Sequence, residues 1–153
     1  MKITFAWIGK SKFKEYQKLQ DLYAKRLKHY CKFDIREFKE LKSKNAQELK
    51  IKEGQQFLSE INSSEFLILL DETGKQYKSR ALATELQKLM NRSQNITFLI
   101  GGAYGVSEEV FNRSDLTLSL SKMTLTHDMA RTLLLEQVYR AHTIIRGEKY
   151  HND

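Results

Sequence analysis

The sequence predicts an α/β protein, a single domain of residues 1–153 with a mainly parallel β-sheet and helices on both of its faces. Segments with strand-like and helix-like hydrophobic patterns alternate five times along the chain. The strand-like segments are mostly apolar at every position, as expected for strands covered on both faces. With 153 residues, 41% of them hydrophobic, the chain has the size of one ordinary domain and can bury a substantial core.

The first third of the chain contains two strand–helix pairs. Ile3 to Ile8 form a short apolar run closed by Gly9, and the apolar residues that follow recur at helical spacing. Those helical positions are Phe13, Tyr16, Leu19, Tyr23 and Leu27. Phe33 to Phe38 predicts a weaker strand. Asn45 and Glu48 are then spaced as a capping box, which predicts a second helix reaching Ile61.

Two further pairs follow in the middle of the chain. Phe66 to Leu70 predicts a buried strand that ends in a turn at Asp71–Gly74, and the next helix is marked by Leu82, Leu86 and Leu89. Ile96 to Ile100 predicts another buried strand. Ser107 and the acidic residues after it predict the start of a short helix.

The last pair begins with apolar and polar residues alternating from Leu116 to Ser121, which predicts a strand. A long apolar stripe from about Asp128 to Arg146 then predicts a helix capped by Gly147. Open parallel sheets bind ligands outside the carboxyl ends of their strands. We therefore expect a binding site among the loops after residues 70, 100 and 120.

Positive charge is concentrated near the start of the sequence. The net charge is +7, but residues 1–52 hold 15 lysines and arginines against 6 acidic residues, whereas residues 53–153 hold 11 against 13. A one-sided basic field attracts polyanions, so nucleic acid is a natural partner. A lysine-rich surface also serves solubility alone, and the charge pattern does not separate these two interpretations.

The sequence indicates neither a membrane protein nor a metal site. No apolar run approaches transmembrane length and no signal-peptide pattern is present, so we expect a soluble protein of the cytoplasm. Cys31 is the single cysteine and has no partner for a disulfide or a thiolate metal site. The histidines share no ligand spacing, which leaves no readable zinc site. They are His29, His127, His142 and His151.

Two nucleotide-binding motifs are excluded by their spacing. The Gly-Lys-Ser segment at 9–11 resembles the end of a P-loop, but the motif requires a glycine where this chain has Thr4. Gly101, Gly102 and Gly105 follow the fourth strand with the spacing G-G-x-x-G, which does not fit the dinucleotide fingerprint. Alone, these glycines most often mean a tight turn, although they also allow close approach to the backbone.

Read together, several short blocks carry a specific resemblance. Phe-Leu-Ile-Gly-Gly-Ala-Tyr-Gly at 98–105 is followed by Leu-Ser-Leu-Ser-Lys-Met-Thr-Leu-Thr-His at 118–127, Tyr-Arg-Ala at 139–141 and Tyr-His at 150–151. With Leu-Asp at 70–71 and Gly-Lys at 74–75, the chain resembles the RlmH family of SPOUT RNA methyltransferases over essentially its whole length. It departs from that family where Ala-Tyr replaces a proline-containing step at 103–104. A second departure is Gly-Glu-Lys at 147–149 in place of Asn-His-Pro.

The resemblance implies a fold and a cofactor that hydrophobic patterns do not reveal. SPOUT proteins carry a deep trefoil knot in the C-terminal half and act as homodimers, whereas connection rules alone predict an unknotted sheet. S-adenosylmethionine is then expected to bind where apolar side chains form a slot for adenine and the main chain supplies hydrogen bonds. The residues implied in cofactor binding are Leu70, Gly101, Gly102, Leu120, Ser121, Lys122, Met123, Thr124 and Leu125.

The family methylates N3 of a pseudouridine in large-subunit (23S) ribosomal RNA, so the resemblance implies that activity and that partner. An imide nitrogen is a poor nucleophile until it is deprotonated, and a base must lie close to it. We expect His151 to be that base, because imidazole titrates near neutral pH and the family's terminal Tyr-His reaches the partner subunit's cofactor pocket. Tyr150 would position the base or the substrate ring, and Arg140 completes the expected catalytic set.

Some roles stay open at the level of sequence. Residues at a chain end are often mobile, which is the alternative for Tyr150 and His151. Arg131 and Arg140 fit phosphate or base contacts as well as solvated or ion-paired charges. Glu136 has the spacing to accept a proton from the substrate or to pair with Arg140 at i,i+4.

Because residues 53–153 are net acidic, the N-terminal half must supply the contacts to RNA. We expect the lysines around the first helix to contact ribosomal phosphate. They are Lys10, Lys12, Lys14 and Lys18. Two other functions compete with the one implied above, namely a SPOUT methyltransferase acting on another RNA such as tRNA, and a noncatalytic basic module that associates with ribosomes.

Overall fold

The computed structural model describes all residues from 1 to 153, and a five-stranded sheet runs through them. All four pairings between neighbouring strands are parallel, in the order β2-β1-β4-β3-β5. The strands are β1 (Ile3–Ile8), β2 (Phe33–Phe38), β3 (Phe66–Gln76), β4 (Ile96–Ile100) and β5 (Leu116–Ser119). The prediction of an α/β protein with a mainly parallel sheet is confirmed.

The first four helices connect successive strands, the fifth follows the last strand, and together they cover both faces of the sheet. They are α1 (Lys14–Leu27), α2 (Ala46–Glu60), α3 (Ser79–Asn91), α4 (Glu108–Arg113) and α5 (His127–Ile145). Helices α1, α3 and α5 pack around the larger apolar cluster on one face, while α2 and α4 pack around the smaller cluster on the other. Helices on both faces were expected from strands that are apolar throughout.

Alternate residues of each strand enter different cores. In β1, Phe5 belongs to the larger cluster and Ala6 to the smaller one, and in β4 the neighbours Phe98 and Leu99 divide in the same way. Phe5 and Phe98 stack with their ring centroids 5.6 Å apart. Because successive side chains of a strand point to opposite faces, burial of both faces requires apolar residues at every position.

Helix boundaries follow the capping residues. Asn45 accepts a hydrogen bond from the Glu48 N–H at 2.8 Å, as the capping pattern predicts. Thr126 caps α5 in the same manner, so this helix begins at His127, one residue earlier than predicted. Gly147, with a φ of +69°, follows its C-terminal end.

The turn predicted at Asp71–Gly74 is wrong. β3 continues through this segment, and its register against β5 shifts so that Leu70 and Lys75 both pair with Leu118. The extra residues form a bulge in which the Asp71 carboxylate accepts a hydrogen bond from the Thr73 N–H at 2.9 Å. Residues typical of a turn bend the strand here without ending it, because β5 pairs with β3 on both sides of the bulge.

A histidine without a hydrogen-bond partner at one ring nitrogen is buried in α5. His142 is 3% exposed, its Nε2 has no partner, and its ring lies 6.0 Å from that of Tyr30. Burial and, to a lesser extent, the charge of Arg146 lower the pKa of His142 from 6.5 to about 4. The folded protein therefore holds this imidazole in its neutral form at neutral pH.

This histidine should make the stability of the fold depend on pH. The unfolded chain binds the proton with a pKa near 6.5 and the folded protein only near 4. The contribution of His142 to the free energy of unfolding is therefore at its maximum above pH 6.5 and decreases as the pH falls towards 4. We expect a loss of about 3 kcal/mol across that window in urea unfolding. His142→Gln should remove most of this loss, and an unchanged pH slope in the variant would contradict the assignment.

Candidate functional site

A cleft opens where the carboxyl ends of β3, β4 and β5 lie side by side. Its volume is about 390 Å³ and more than half of its lining residues are hydrophobic, which suits a small-molecule ligand. Lys122 is outside the lining of this main cleft, and its side chain is exposed to solvent. Eight of the nine residues that the family resemblance implied in cofactor binding do line it, namely Leu70, Gly101, Gly102, Leu120, Ser121, Met123, Thr124 and Leu125.

One wall of the main cleft is the glycine loop, residues 101–106. A Cβ atom on Gly101 would lie 2.5 Å from Cγ1 of Val106, and one on Gly102 would lie 2.6 Å from Oε1 of Glu53. Gly105 has a φ of +82° and forms an isolated bridge with Gly102. A side chain at either of the first two positions would displace Val106 or the Glu53 carboxylate, so glycine suits both positions.

The opposite wall is the turn between β5 and α5. Ser119 Oγ donates a hydrogen bond to the Ser121 carbonyl at 2.9 Å, and the Met123 N–H donates to Ser121 Oγ at 3.0 Å. Thr124 Oγ1 donates to Glu72 on the β3 bulge at 3.0 Å. These bonds fix the main chain of the turn next to the cleft.

The β3 bulge gives the main cleft its charge. Asp71 and Glu72 both line the cleft, and no lysine or arginine does. A positively charged small molecule is therefore favoured over an anion at this position. The sequence interpretation expected the segment after residue 70 at the site, but it treated these two residues as part of a turn and gave them no role in binding.

The predicted catalytic residues meet near the C-terminal end of α5, in a group that we name the tail cluster (Glu136, Arg140, Tyr150 and His151). Glu136 Oε1 accepts hydrogen bonds from Arg140 Nε at 3.0 Å and from the Tyr150 hydroxyl at 3.1 Å. The Arg140 guanidinium lies 4.7 Å from the centroid of the Tyr150 ring, and its Nη1 is 3.3 Å from His151 Nδ1. Tyr150 and His151 are thus packed against α5.

Burial and hydrogen bonding set the protonation of Tyr150. Burial is the main cause that raises the pKa of Tyr150 above its ordinary value of 10, and hydrogen bonds with Tyr23 and Glu136 add to it. The phenol therefore stays protonated at neutral pH and serves as a hydrogen-bond donor.

Comparison with known proteins identifies the family. Residues 1–151 match the family model described as Predicted SPOUT methyltransferase. The chain belongs to this SPOUT methyltransferase family. The resemblance drawn from the sequence motifs is thereby confirmed.

Curated relatives of this SPOUT chain match it from end to end. The protein named Ribosomal RNA large subunit methyltransferase H is 44% identical in Christiangramia forsetii and 43% identical in Flavobacterium psychrophilum, each over 99% of both chains. The crystal structure of a probable rRNA-methyltransferase from Porphyromonas gingivalis has a TM-score of 0.56 at 13% identity, and covers 95% of this chain and 69% of that one. At that identity the structural likeness supports the fold alone.

In this SPOUT chain the main cleft lies at the start of α5, whereas the tail cluster lies against its second half. Ala130 lines the cleft, whereas Arg140 lies about 15 Å further along a helix that rises about 1.5 Å per residue. Neither Arg140 nor Tyr150 nor His151 lines the main cleft. The cofactor-binding and catalytic sets predicted from the family are therefore two separate groups within one chain.

Arg131 takes a packed position. It is 4% exposed, its guanidinium lies 5.2 Å from the centroid of Trp7, and it donates a hydrogen bond to the Gly9 carbonyl at 3.4 Å. The Asp128 carboxylate is 3.9 Å away. Of the two interpretations left open by the sequence, this geometry favours the ion-paired one.

Sequence reasoning missed Glu53, which is 4% exposed and lies against the glycine loop at Gly102. A single glutamate on an amphipathic helix carries no signal that separates it from a surface residue.

No helix has the length and apolar character needed to span a membrane. No three side chains among His, Cys, Asp and Glu are grouped so that they could hold a metal ion.

Proposed function

We propose that this chain transfers a methyl group from S-adenosylmethionine to N3 of a pseudouridine in 23S RNA of the large ribosomal subunit, in the cytoplasm. The supporting observation is the main cleft, which gathers eight of the nine implied cofactor residues. It does so in a chain 44% identical over 99% of its length to a ribosomal RNA large subunit methyltransferase H.

The main cleft fits this cofactor in shape and charge. Gly101 and Gly102 line the cleft without side chains of their own, so a ligand can approach the backbone of the loop. Apolar side chains of the β5–α5 turn suit an adenine ring. Asp71 and Glu72 suit the positive charges of the sulfonium and amino groups. The bound cofactor supplies an already activated methyl group.

The residues of the tail cluster would then handle the proton of the acceptor nitrogen. His151 accepts it as general base, and Tyr150 and Arg140 position the base and the substrate ring. Arg140 donates towards His151 Nδ1 and the Asp153 carboxylate lies 3.2 Å from Nε2, an arrangement in which Nδ1 accepts and Nε2 carries the hydrogen. Arg140 must therefore release Nδ1 before His151 can accept the substrate proton through that atom.

We further propose that the protein works as a homodimer in which the tail cluster of one protomer serves the main cleft of its partner. The separation of about 15 Å along α5 supports this arrangement, because the helix prevents the two groups of one chain from meeting. Met129, at the start of α5, is 38% exposed and offers apolar surface to a partner. The C-terminal trefoil knot expected of the SPOUT class is part of the same proposal.

Transfer of a tritium-labelled methyl group from S-adenosylmethionine to ribosomes tests this function. We expect incorporation into the large-subunit RNA of ribosomes that carry the pseudouridine and none into ribosomes that lack it. Equal incorporation into both would refute the assigned base. Calorimetry with S-adenosylhomocysteine, alone and with ribosomes present, tests the cofactor, and absence of binding in both cases would favour a noncatalytic module.

The lysines at the start of the chain should carry the salt dependence of ribosome binding. Each neutralised phosphate contact removes about 0.7 to 0.9 from the slope of the logarithm of the binding constant against the logarithm of salt concentration. Replacing Lys10, Lys12, Lys14 and Lys18 together by glutamine should therefore flatten that slope by about 3. An unchanged slope in filter-binding titrations would show that these lysines do not contact RNA.

A further inference from the structure

A second cleft lies behind the glycine loop. Its volume, about 390 Å³, equals that of the main cleft, and it is lined by the β1–α1 loop, α2 and the start of α5. Gly102, Ala103 and His127 line both clefts, so the two are separated by a thin wall. None of the roles proposed above accounts for a cavity at this position.

Glu53 lines the second cleft, and no hydrogen bond to another residue satisfies its carboxyl group. It is 4% exposed and its Oε1 is buried without a hydrogen-bond partner. Burial raises the pKa of Glu53. A buried carboxyl group that makes no hydrogen bond costs stability, so the position is better explained by a ligand that completes its hydrogen bonding than by the needs of the fold.

The rim of the second cleft carries the features of a nucleic-acid contact. Lys10 and Lys12 are exposed there, and between them and α1 stands Phe13, a large apolar side chain that is 60% exposed. Phosphate groups pair with lysine, and bases stack on exposed aromatic rings whatever their sequence. The combination of lysines and an exposed ring on one short loop suits a nucleotide.

This loop is held in place before any ligand arrives. Ser11 is buried in its middle and donates a hydrogen bond to Gln20 at 3.0 Å, and Gln20 in turn donates to Thr132 on α5 at 3.4 Å. Gln17 also donates to the Ser11 carbonyl at 2.6 Å. The loop therefore presents Phe13 from a fixed backbone, which lowers the entropy cost of binding.

The charges around the second cleft are mixed and become more basic towards its mouth. Arg131 lies in the lining, packed on Trp7 and paired with Asp128, and Glu40 is the remaining acidic group. Lys10 and Lys12 are the groups whose charges are free at the surface, since neither takes part in an ion pair. An elongated ligand with an anionic end outside and neutral polar groups inside matches this gradient.

We propose that the second cleft binds one nucleotide of the RNA substrate, with its phosphate on Lys10 and Lys12, its base on Phe13 and a polar edge or ribose hydroxyl on Glu53. This inference rests on the proposed function, since it takes the substrate to be RNA. It adds a subsite that holds the strand beside the cofactor. The competing occupant is the amino-acid end of the cofactor itself, which would reach through the wall at Gly102.

Fluorescence anisotropy with a short labelled oligouridylate and saturating S-adenosylhomocysteine tests the subsite without requiring methyl transfer. Phe13→Leu removes the ring face and should weaken RNA binding about fivefold or more. Phe111→Leu, at an exposed phenylalanine on α4, is the matched control and should leave the affinity unchanged. Glu53→Met should weaken RNA binding about threefold or more without lowering the melting temperature, while Glu53→Gln should retain most of the affinity.

The outcomes separate the subsite from the proposed function. Wild-type affinity in both Phe13→Leu and Glu53→Met, or no binding of the oligonucleotide by the wild type, would overturn the subsite. Loss of S-adenosylhomocysteine affinity in Glu53→Met with RNA binding intact would assign the cleft to the cofactor and overturn it as well. A wild type that binds RNA through these residues but methylates no ribosome would refute the proposed function and leave the subsite standing.

Discussion

Replacement of His151 by alanine should slow methyl transfer to ribosomes by a factor of about 10² to 10⁴, the usual contribution of a general base. His151 lies outside the main cleft of its own chain, so the affinity for S-adenosylhomocysteine should change little. The loss should therefore appear in the rate constant of methyl transfer under single-turnover conditions, with calorimetry of cofactor binding as the second measurement. Lys149→Ala, two residues away, is the matched control and should retain full activity.

Mixing experiments distinguish a base that acts in its own chain from one that acts in its partner. A His151→Ala chain mixed with a chain whose main cleft is blocked by Gly101→Val should regain part of the activity, because one intact tail cluster then meets one intact cleft. Each variant alone should stay inactive. If the mixture is as inactive as its components although mixed dimers have formed, the proposal that the tail serves the partner fails.

Gly74→Ala should cost about 3 kcal/mol of unfolding free energy, the upper end for an added methyl group in a packed site. A Cβ atom at this position would lie 2.7 Å from the carbonyl carbon and oxygen of Thr117 and 2.8 Å from the carbonyl carbon of Leu118. These are backbone atoms, so no side-chain rotation relieves the overlap. β5 is an edge strand whose only neighbour is β3, and it must move away as a whole.

The same substitution should also abolish cofactor binding, since Leu118 lines the main cleft and the turn after β5 forms one of its walls. Urea unfolding and calorimetry with S-adenosylhomocysteine measure the two effects. Lys75→Ala, at the next and exposed position, should change stability by less than about 1 kcal/mol, because only its contact with the Tyr77 ring is lost. Equal stability of Gly74→Ala and Lys75→Ala would contradict the steric argument.

The strands and helices were largely predictable because burial on two faces leaves a periodic record in the sequence. Ile96 to Ile100 is a strand with the predicted bounds, and Asn45 caps α2 as its spacing to Glu48 indicates. The bulge in β3 was not predictable in this way. Asp71 and Gly74 suit a turn and a bulge equally, and the difference is decided by pairing with β5, more than 40 residues further along the chain.

The residues of the candidate site likewise divide into those that the sequence predicted and those that it did not. The strand order alone pointed to the loops after residues 70, 100 and 120, and the family resemblance then implied the individual residues, since periodicity alone predicts Leu120 and Leu125 as ordinary core. Lys122 is the one implied cofactor residue that does not line the cleft, and its role stays a prediction. Glu53 was not predictable from the sequence, because the position of its side chain depends on a contact with Gly102, about a third of the chain away in residue number.

Gly102 and Ala103 border both cavities, so on the two proposals above the cofactor and the RNA would contact opposite sides of the same two residues, and we expect their binding to be coupled. Thermodynamic reciprocity then requires that the cofactor change RNA affinity by the same factor by which RNA changes cofactor affinity. With such coupling, release of the methylated RNA requires no separate signal. If S-adenosylmethionine and its demethylated product contact Gly102 and Ala103 differently, methyl transfer itself changes the affinity for the ribosome.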